Sequence, residues 1–258
     1  MPKKRHWFFD ARKFQVRTGT IPEYADGEVI KTHSHPWHQL VYASRGVMTV
    51  RTPKGAWVVP TNRGVWVPAR IRHSIQMSGP VSLRTLYLVP RLSAALPDRC
   101  SVVGISPLLR ELILRIVELR DLNVRIPRHA HLISVLLDHL QAMESDAVHL
   151  PLPRDARARR VAALLQEEPS DERSLVELSK IAGASKRTVE RLFKLETGLG
   201  FGKWRQQLRL GHALRLLAAG EAVTSVAMDV GYDSASAFIS AFRVTFGQTP
   251  GRYFREAE

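Results

Sequence analysis

The feature that most constrains this chain is a repeat near its C-terminal end. Shift the sequence by 49 residues and Ser185 falls on Ser234, Val189 on Phe238, Phe193 on Phe242, Gly198 on Gly247 and Trp204 on Tyr253. One structural unit has been used twice. In the first copy Val189, Leu192 and Phe193 recur at helical spacing, which leaves Lys186, Arg187, Glu190, Arg191 and Lys194 together on the opposite face. Ahead of them, Ser174 and Glu177 form a capping box that opens a helix through Lys180, Ala182-Gly183-Ala184 makes a turn, and Ser185 is a good N-cap. Helix, tight glycine turn, helix is a helix-turn-helix. The second copy repeats the pattern with a helix over Val223 to Val230, a turn at Gly231-Tyr232-Asp233, and Ser234 as cap. A single copy would read equally well as a hairpin that only packs; two at fixed spacing argue for a function on the outer faces.

The remainder of this region agrees with that reading. A helix from about Phe201 to Ala219 separates the copies and spans roughly 28 Å at 1.5 Å per residue, near the ~34 Å that separates same-face major grooves of DNA. Gly220 is placed to end it, and Thr249-Pro250 to start a last short helix through Phe254. The pattern Ser185-x-x-Thr188-x-x-Arg191-x-Phe193-Lys194-x-x-x-Gly198, then Arg209-Leu210-x-x-Ala213-x-x-Leu216-Leu217, Val226-Ala227-x-x-Val230-Gly231-Tyr232 and Phe238-x-x-x-Phe242-Arg243-x-x-x-Gly247-x-x-Pro250-x-x-Tyr253 resembles the AraC/XylS DNA-binding domain over residues 155 to 256. That resemblance implies seven helices, with two recognition helices in successive major-groove segments of double-stranded DNA. The residues expected at DNA are Ser185, Lys186, Arg187, Glu190, Arg191 and Lys194 in the first copy, and Ser234, Ala235, Ser236, Ile239, Ser240 and Arg243 in the second.

Charge alone would have pointed elsewhere. The chain carries a net +14, but from Pro151 onward 17 Lys and Arg face 13 Asp and Glu, so the basic excess lies mostly in the first 150 residues. DNA binding therefore rests on the repeated motif; the N-terminal charge adds at most long-range attraction. With 258 residues and 45% apolar composition, two domains are expected. The single cysteine, Cys100, excludes an internal disulfide and fits a reducing cytoplasm. No transmembrane run is present, and Asp10, Arg12 and Lys13 interrupt any signal-peptide core. A cytoplasmic protein without membrane association is expected.

Residues from about 20 to 90 read as short strands. Leu40 to Ala43, Val47 to Arg51, Trp57 to Val59, Gly64 to Val67 and Leu83 to Val89 are separated by glycine, proline and asparagine, a rhythm that favours an all-β barrel or jelly roll. Within it, Thr32-His33-Ser34-His35-x-x-x-Gln39 and Gly64-x-x-x-Pro68-x-x-x-x-His73 resemble the two cupin motifs. The resemblance implies a metal site at His33, His35, Gln39 and His73, with Gln39 where a glutamate is usual. Two readings stand at this point: a divalent metal weakened by the neutral amide, or histidines lining a metal-free effector pocket. Regulators with such a domain carry it as an effector sensor, and His33, His35, Gln39, Tyr42, Trp66, Arg70 and His73 are the expected lining. Their aromatic and cationic character points to an effector with an acid or aromatic group. His38, next to Gln39, alternates to the other face of the strand.

Residues 101–146 change period. Ser106-Pro107 starts a helix with Leu108, Leu109, Leu112, Ile113, Ile116, Val117 and Leu119 in one stripe, and a second helix carries Leu132, Val135, Leu136, His139, Leu140 and Met143. Such a pair could form a homodimer through a self-complementary face or pack only within the chain. The expected organisation is a cupin jelly-roll barrel over 1–100, this hairpin over 101–146, a proline-stiffened linker over 147–154 and an all-α domain with two helix-turn-helix motifs over 155–258. The functional expectation is a transcription regulator controlled by a small-molecule effector. By resemblance it would activate by recruiting RNA polymerase. The alternative is a metal-dependent cupin enzyme, a dioxygenase or isomerase, with a helical appendage.

Overall fold

The computed structural model describes residues 13–20, 23–141 and 149–255. The chain forms two compact units, one of residues 1–50 with 59–146, the other of residues 51–58 with 147–258.

The first unit is built on antiparallel strands. In chain order the strands are β1 (Val16–Thr20), β2 (Val29–His33), β3 (His38–Thr52), β4 (Gly55–Val59), β5 (Arg63–Val67), β6 (His73–Leu88) and β7 (Ser101–Gly104), with a two-residue β8 (Asp121–Leu122); of these β4, all but Val59, belongs to the second unit. The order across the sheet is β7-β5-β3-β6-β1-β8, with β2 added on β6. Four of these, β1, β2, β7 and β8, were not anticipated in the sequence. Nor was the length of β3, which the sequence breaks at Gly46. The strand runs straight through, and Gly46 absorbs the irregularity at φ +80. Only glycine fits there, since a Cβ would stand 2.3 Å from the Pro80 carbonyl oxygen.

Alternation along β3 and β5 separates two faces. Leu40, Tyr42 and Trp66 join Leu86, Leu88 and Val16 in a core completed by Leu109, Leu112, Ile113 and Ile116 of α1 (Pro107–Leu119) and Ile133, Leu136 and Leu140 of α2 (Pro127–Gln141). The apolar stripes of the helical pair are thus largely consumed within the chain. Leu108, assigned to the first stripe, instead lies exposed, as does Val135 of the second; Met143 lies outside the described residues.

The second unit is helical: α3 (Ala156–Glu167), α4 (Leu175–Ile181), α5 (Lys186–Thr197), α6 (Phe201–Ala218), α7 (Val223–Asp229), α8 (Ala235–Phe246) and α9 (Pro250–Arg255). The stretch expected as a linker contains β9 (His149–Pro151), which pairs with β4 inside this unit. Its extended backbone is what two prolines favour, but burial rather than stiffness holds it: Leu150 enters the core with Ala158, Val161, Leu165 and Phe193, and Trp204 donates its indole N–H to the Pro151 carbonyl at 2.7 Å. Residues 147 and 148 of that stretch lie outside the described residues.

Candidate functional site

The repeat read in the sequence has a structural counterpart at each matched position. Ser185 accepts from the Thr188 N–H and Ser234 from the Ala237 N–H, so the same residue opens both helices. Val189 and Phe193 on α5, and Phe238 and Phe242 on α8, are fully buried. Gly198 and Gly247 end the helices in the left-handed conformation, at φ +76 and +81, donating to the Lys194 and Arg243 carbonyls. Trp204 packs 5.1 Å from Phe193, and Tyr253 packs 5.4 Å from Phe242. Ahead of α5, the Ser174–Glu177 capping box is complete. Ahead of α8, α7 starts at Ala222 without a side-chain cap.

The outer faces of the two helices differ. On α5, Lys186, Arg187, Glu190, Arg191 and Lys194 are all exposed. Lys186 approaches Glu190 at 3.9 Å, and Lys194 donates to the Gly198 carbonyl, which leaves Arg187 and Arg191 as the longest reach on that face. On α8 the corresponding face holds exposed Ser236, Ser240 and Arg243 with half-buried Ala235 and Ile239. Ser185 and Ser234 are occupied as caps, though both remain exposed. Between the helices α6 has 18 residues, about 27 Å at 1.5 Å each.

One side chain ties the two copies together, and the sequence gives no local signal for it. Arg209 of α6 donates to the carbonyls of Pro169, Gly231 and Asp171 at 3.1, 2.6 and 3.2 Å. It thereby joins the turn of the second copy to the residues that precede the first.

In the first unit the structure brings His33, His35 and His73 together, each offering a ligand atom within 4.8 Å of the others. Register explains two of them: β2 pairs with β6 so that His33 faces His73 directly. The rings are held alike, each Nδ1 lying on a main-chain carbonyl: His33 on Lys31, His35 on Trp37, His73 on Ile71, at 2.8 to 2.9 Å. Donation from Nδ1 fixes the tautomer and turns the Nε2 lone pair away from the backbone, the usual preparation of a metal-binding imidazole. Burial, helped by the neighbouring imidazoles, lowers the His35 pKa and takes that of His73 down to about 4, so both are neutral ligands at pH 7.

Gln39 completes the group. Its Nε2 donates to Thr85 Oγ1 at 2.8 Å and to the Tyr87 hydroxyl at 3.2 Å, and its Oε1 lies 3.0 Å from His35 Nε2. With His35 Nδ1 donating to Trp37, two buried acceptors face each other across that gap. In this orientation of the amide, a shared proton or a metal ion satisfies the pair. His73 Nε2 is buried without a hydrogen-bond partner. These observations fit a divalent ion bound by three imidazoles and an amide oxygen.

The rest of the expected pocket is dispersed. Tyr42 and Trp66 lie on the opposite face from Gln39, in the core against α1 and α2, because side chains alternate along a strand. The Trp66 indole is spent on the Pro97 carbonyl. Arg70 is exposed; its backbone, at φ +67, donates to the His35 carbonyl and braces that histidine. His38 accepts from the Ala69 N–H and stacks on Trp66, outside the cluster as expected. Thr85 and Tyr87 were missed, lying 46 and 48 residues from Gln39 with no local pattern to link them.

Comparison with known proteins agrees with both units. Residues 14–167 match the AraC-like ligand binding domain, and residues 178–256 match a helix-turn-helix domain. The chain is 36% identical over 221 residues to the HTH-type transcriptional regulator NimR of Escherichia coli, covering 86% of this chain and 81% of that protein. It is 40% identical over 103 residues to the regulator RipA of Corynebacterium glutamicum, 40% of this chain and 31% of that protein. Fatty-acid-bound ToxT of Vibrio cholerae aligns over 94% of this chain and 95% of its own at 12% identity, with a TM-score of 0.39. Among the described residues no helix is long and apolar enough to cross a membrane. Two sensor-and-reader halves, a matching family model over most of the chain and a regulator similar along most of its length make this chain a member of the AraC family of transcriptional regulators, with an N-terminal ligand-binding domain and a C-terminal helix-turn-helix DNA-binding domain.

Proposed function

We propose that the two recognition helices divide the work of DNA binding unequally, with α5 reading bases and α8 mainly holding register, and that the N-terminal unit senses a small molecule at the His33, His35, Gln39 and His73 centre with a divalent metal bound. The observation that carries the first part is the contrast between equivalent faces. Arg187 and Arg191 can each pair bidentately with guanine O6 and N7, and Glu190 can accept from cytosine N4. Ser236, Ser240, Ala235 and Ile239 offer one weak hydrogen bond or contact with a thymine methyl, while Arg243 suits a phosphate. The second part is supported by the ligand atoms of His33, His35 and His73 lying within 4.8 Å of one another and by the buried His73 Nε2, which has no hydrogen-bond partner.

RNA polymerase and a second copy of the chain are further proposed partners. Exposed Leu108 and Val135 on the helical pair are the apolar residues left for self-association. Light scattering that gives a monomer at micromolar concentration would refute the dimer. The DNA reading is tested by footprinting the protein on genomic DNA. Protection of two successive major-groove segments on one face is expected, and protection of a single segment would contradict it. A metal-dependent enzyme remains the competing reading; turnover of an oxidisable or isomerisable acid by the metal-loaded protein would favour it.

A further inference from the structure

We infer that the His33, His35 and His73 centre takes a small carboxylate anion together with its metal, and that Gln39 is the residue that reserves the anion's place. This rests on the metal reading above. Three neutral imidazoles and one amide oxygen leave the +2 charge of a divalent ion uncompensated. The centre is buried, with Gln39 and His73 each 1% exposed, and an unbalanced charge in such a site is unfavourable. No carboxylate joins the histidine cluster among the described residues. The nearest charged residues in sequence, Lys31 on β2 and Arg70 and Arg72 ahead of β6, are cations. Among the described residues none supplies the missing negative charge, which leaves it to hydroxide from a bound water or to an anionic ligand that displaces it.

The hydrogen-bond polarity around position 39 shows that the neutral side chain is built in. Thr85 gives its hydroxyl proton to the Leu40 carbonyl at 3.0 Å, so toward Gln39 it can only accept. An amide N–H satisfies that arrangement, whereas a glutamate oxygen would put acceptor against acceptor. Tyr87 takes the second amide proton and stands edge-on to His35, its ring 5.1 Å away. The amide oxygen is thereby aimed at His35, and the centre is left one negative charge short of a carboxylate-bearing site. Approach is from the His33 side, since His33 is half-buried where His35 and His73 are buried. Arg70 and Arg72, both exposed beside the loop into His73, add long-range attraction for an anion.

Binding of metal and anion must then be mutually strengthening, and the two factors must be equal. The test uses the full chain in chloride-free buffer with Co²⁺ as the probe metal, whose visible spectrum reports coordination, and sodium benzoate and sodium acetate as probe anions. For the unmodified protein we expect saturating benzoate to raise Co²⁺ affinity about tenfold, within the usual 5- to 150-fold range of coupled sites, and to shift the spectrum. Gln39→Glu, checked for native circular dichroism, should bind Co²⁺ more tightly without anion and lose most of the benzoate enhancement. His73→Ala should lose both. Stoichiometric Co²⁺ binding whose affinity and spectrum ignore both anions would overturn the inference while leaving the metal reading intact. Failure to bind Co²⁺ or Zn²⁺ at all would overturn both. Because the first comparison needs only the unmodified chain, the inference stands or falls even if Gln39→Glu does not fold.

Discussion

Replacing Gly231 by alanine should unfasten the two DNA-binding copies from each other. Gly231 sits at φ +77 in the turn between α7 and α8, a conformation that costs an L-residue about 1–2 kcal/mol. A Cβ there would also stand 2.5 Å from one Arg209 terminal nitrogen and 3.0 Å from the Ser170 carbonyl. Something must move, and the carbonyl is main chain, so the guanidinium yields. Its three carbonyl contacts include the one to Gly231 itself, and hydrogen bonds to a charged donor contribute about 1.5–3 kcal/mol each. Losing one of them on top of the backbone strain gives about 2.5–5 kcal/mol, and losing two about 4–8 kcal/mol. Gly183 provides the control: it has φ +68 in the corresponding turn of the first copy, but nothing lies within 4 Å of its Cβ position. Gly183→Ala should cost only the backbone strain, about 1–2 kcal/mol. Urea denaturation followed by circular dichroism separates the two. Equal losses at the two positions would show that Arg209 does not fasten the halves and would refute the reasoning.

Other outcomes follow from individual contacts. Ser174→Ala breaks a complete capping box and should cost about 1 kcal/mol, whereas Ala222→Ser, which offers α7 a cap it lacks, should recover a similar amount, both by denaturant midpoint. Gly46→Ala should destabilise the first unit severely because Pro80 blocks the new methyl; a variant that melts at the original temperature would contradict the close approach. His212 accepts at Nδ1 from Arg215, and burial followed by that cation lowers its pKa. The unfolded chain therefore takes up this proton near pH 6.5 while the folded chain resists, so the stability it contributes is present above about pH 6.5 and falls as the solution is acidified. His212→Gln should flatten that part of the stability–pH curve.

How much of this was legible in the sequence depended on range. The two helix-turn-helix copies are local patterns of caps, apolar spacing and C-terminal glycines, and each of those signals lies within about 15 residues, so both units could be read in advance. The histidine pair His33 and His35 was visible for the same reason. Strand faces were harder. Tyr42 and Trp66 have suitable chemistry for a pocket, but their side depends on the register of β3 against β5, where Gln39 lies opposite Val67 and Leu40 opposite Trp66. The support of Gln39 by Thr85 and Tyr87, and the reach of Arg209 to Pro169 and Gly231, are long-range contacts that leave no periodic trace. Prolines misled the reading of 149–151: they indicate an extended backbone correctly, but whether that backbone is a free linker or a strand is decided by burial of Leu150.

The central proposal is that α5 supplies most of the base reading and α8 mainly holds register, and one set of titrations addresses it. Arg191→Ala, Ser240→Ala and Arg243→Ala are each titrated on the operator and on scrambled DNA at two or more salt concentrations. Arg191→Ala should cost about 1–3 kcal/mol on the operator and relax the preference at one or two positions. Arg243→Ala should weaken binding to both DNAs alike and reduce the salt slope by roughly one. Ser240→Ala should cost under about 1 kcal/mol. If Ser240→Ala damages discrimination between operator and scrambled DNA more than Arg191→Ala does, the assignment of base reading to α5 is wrong.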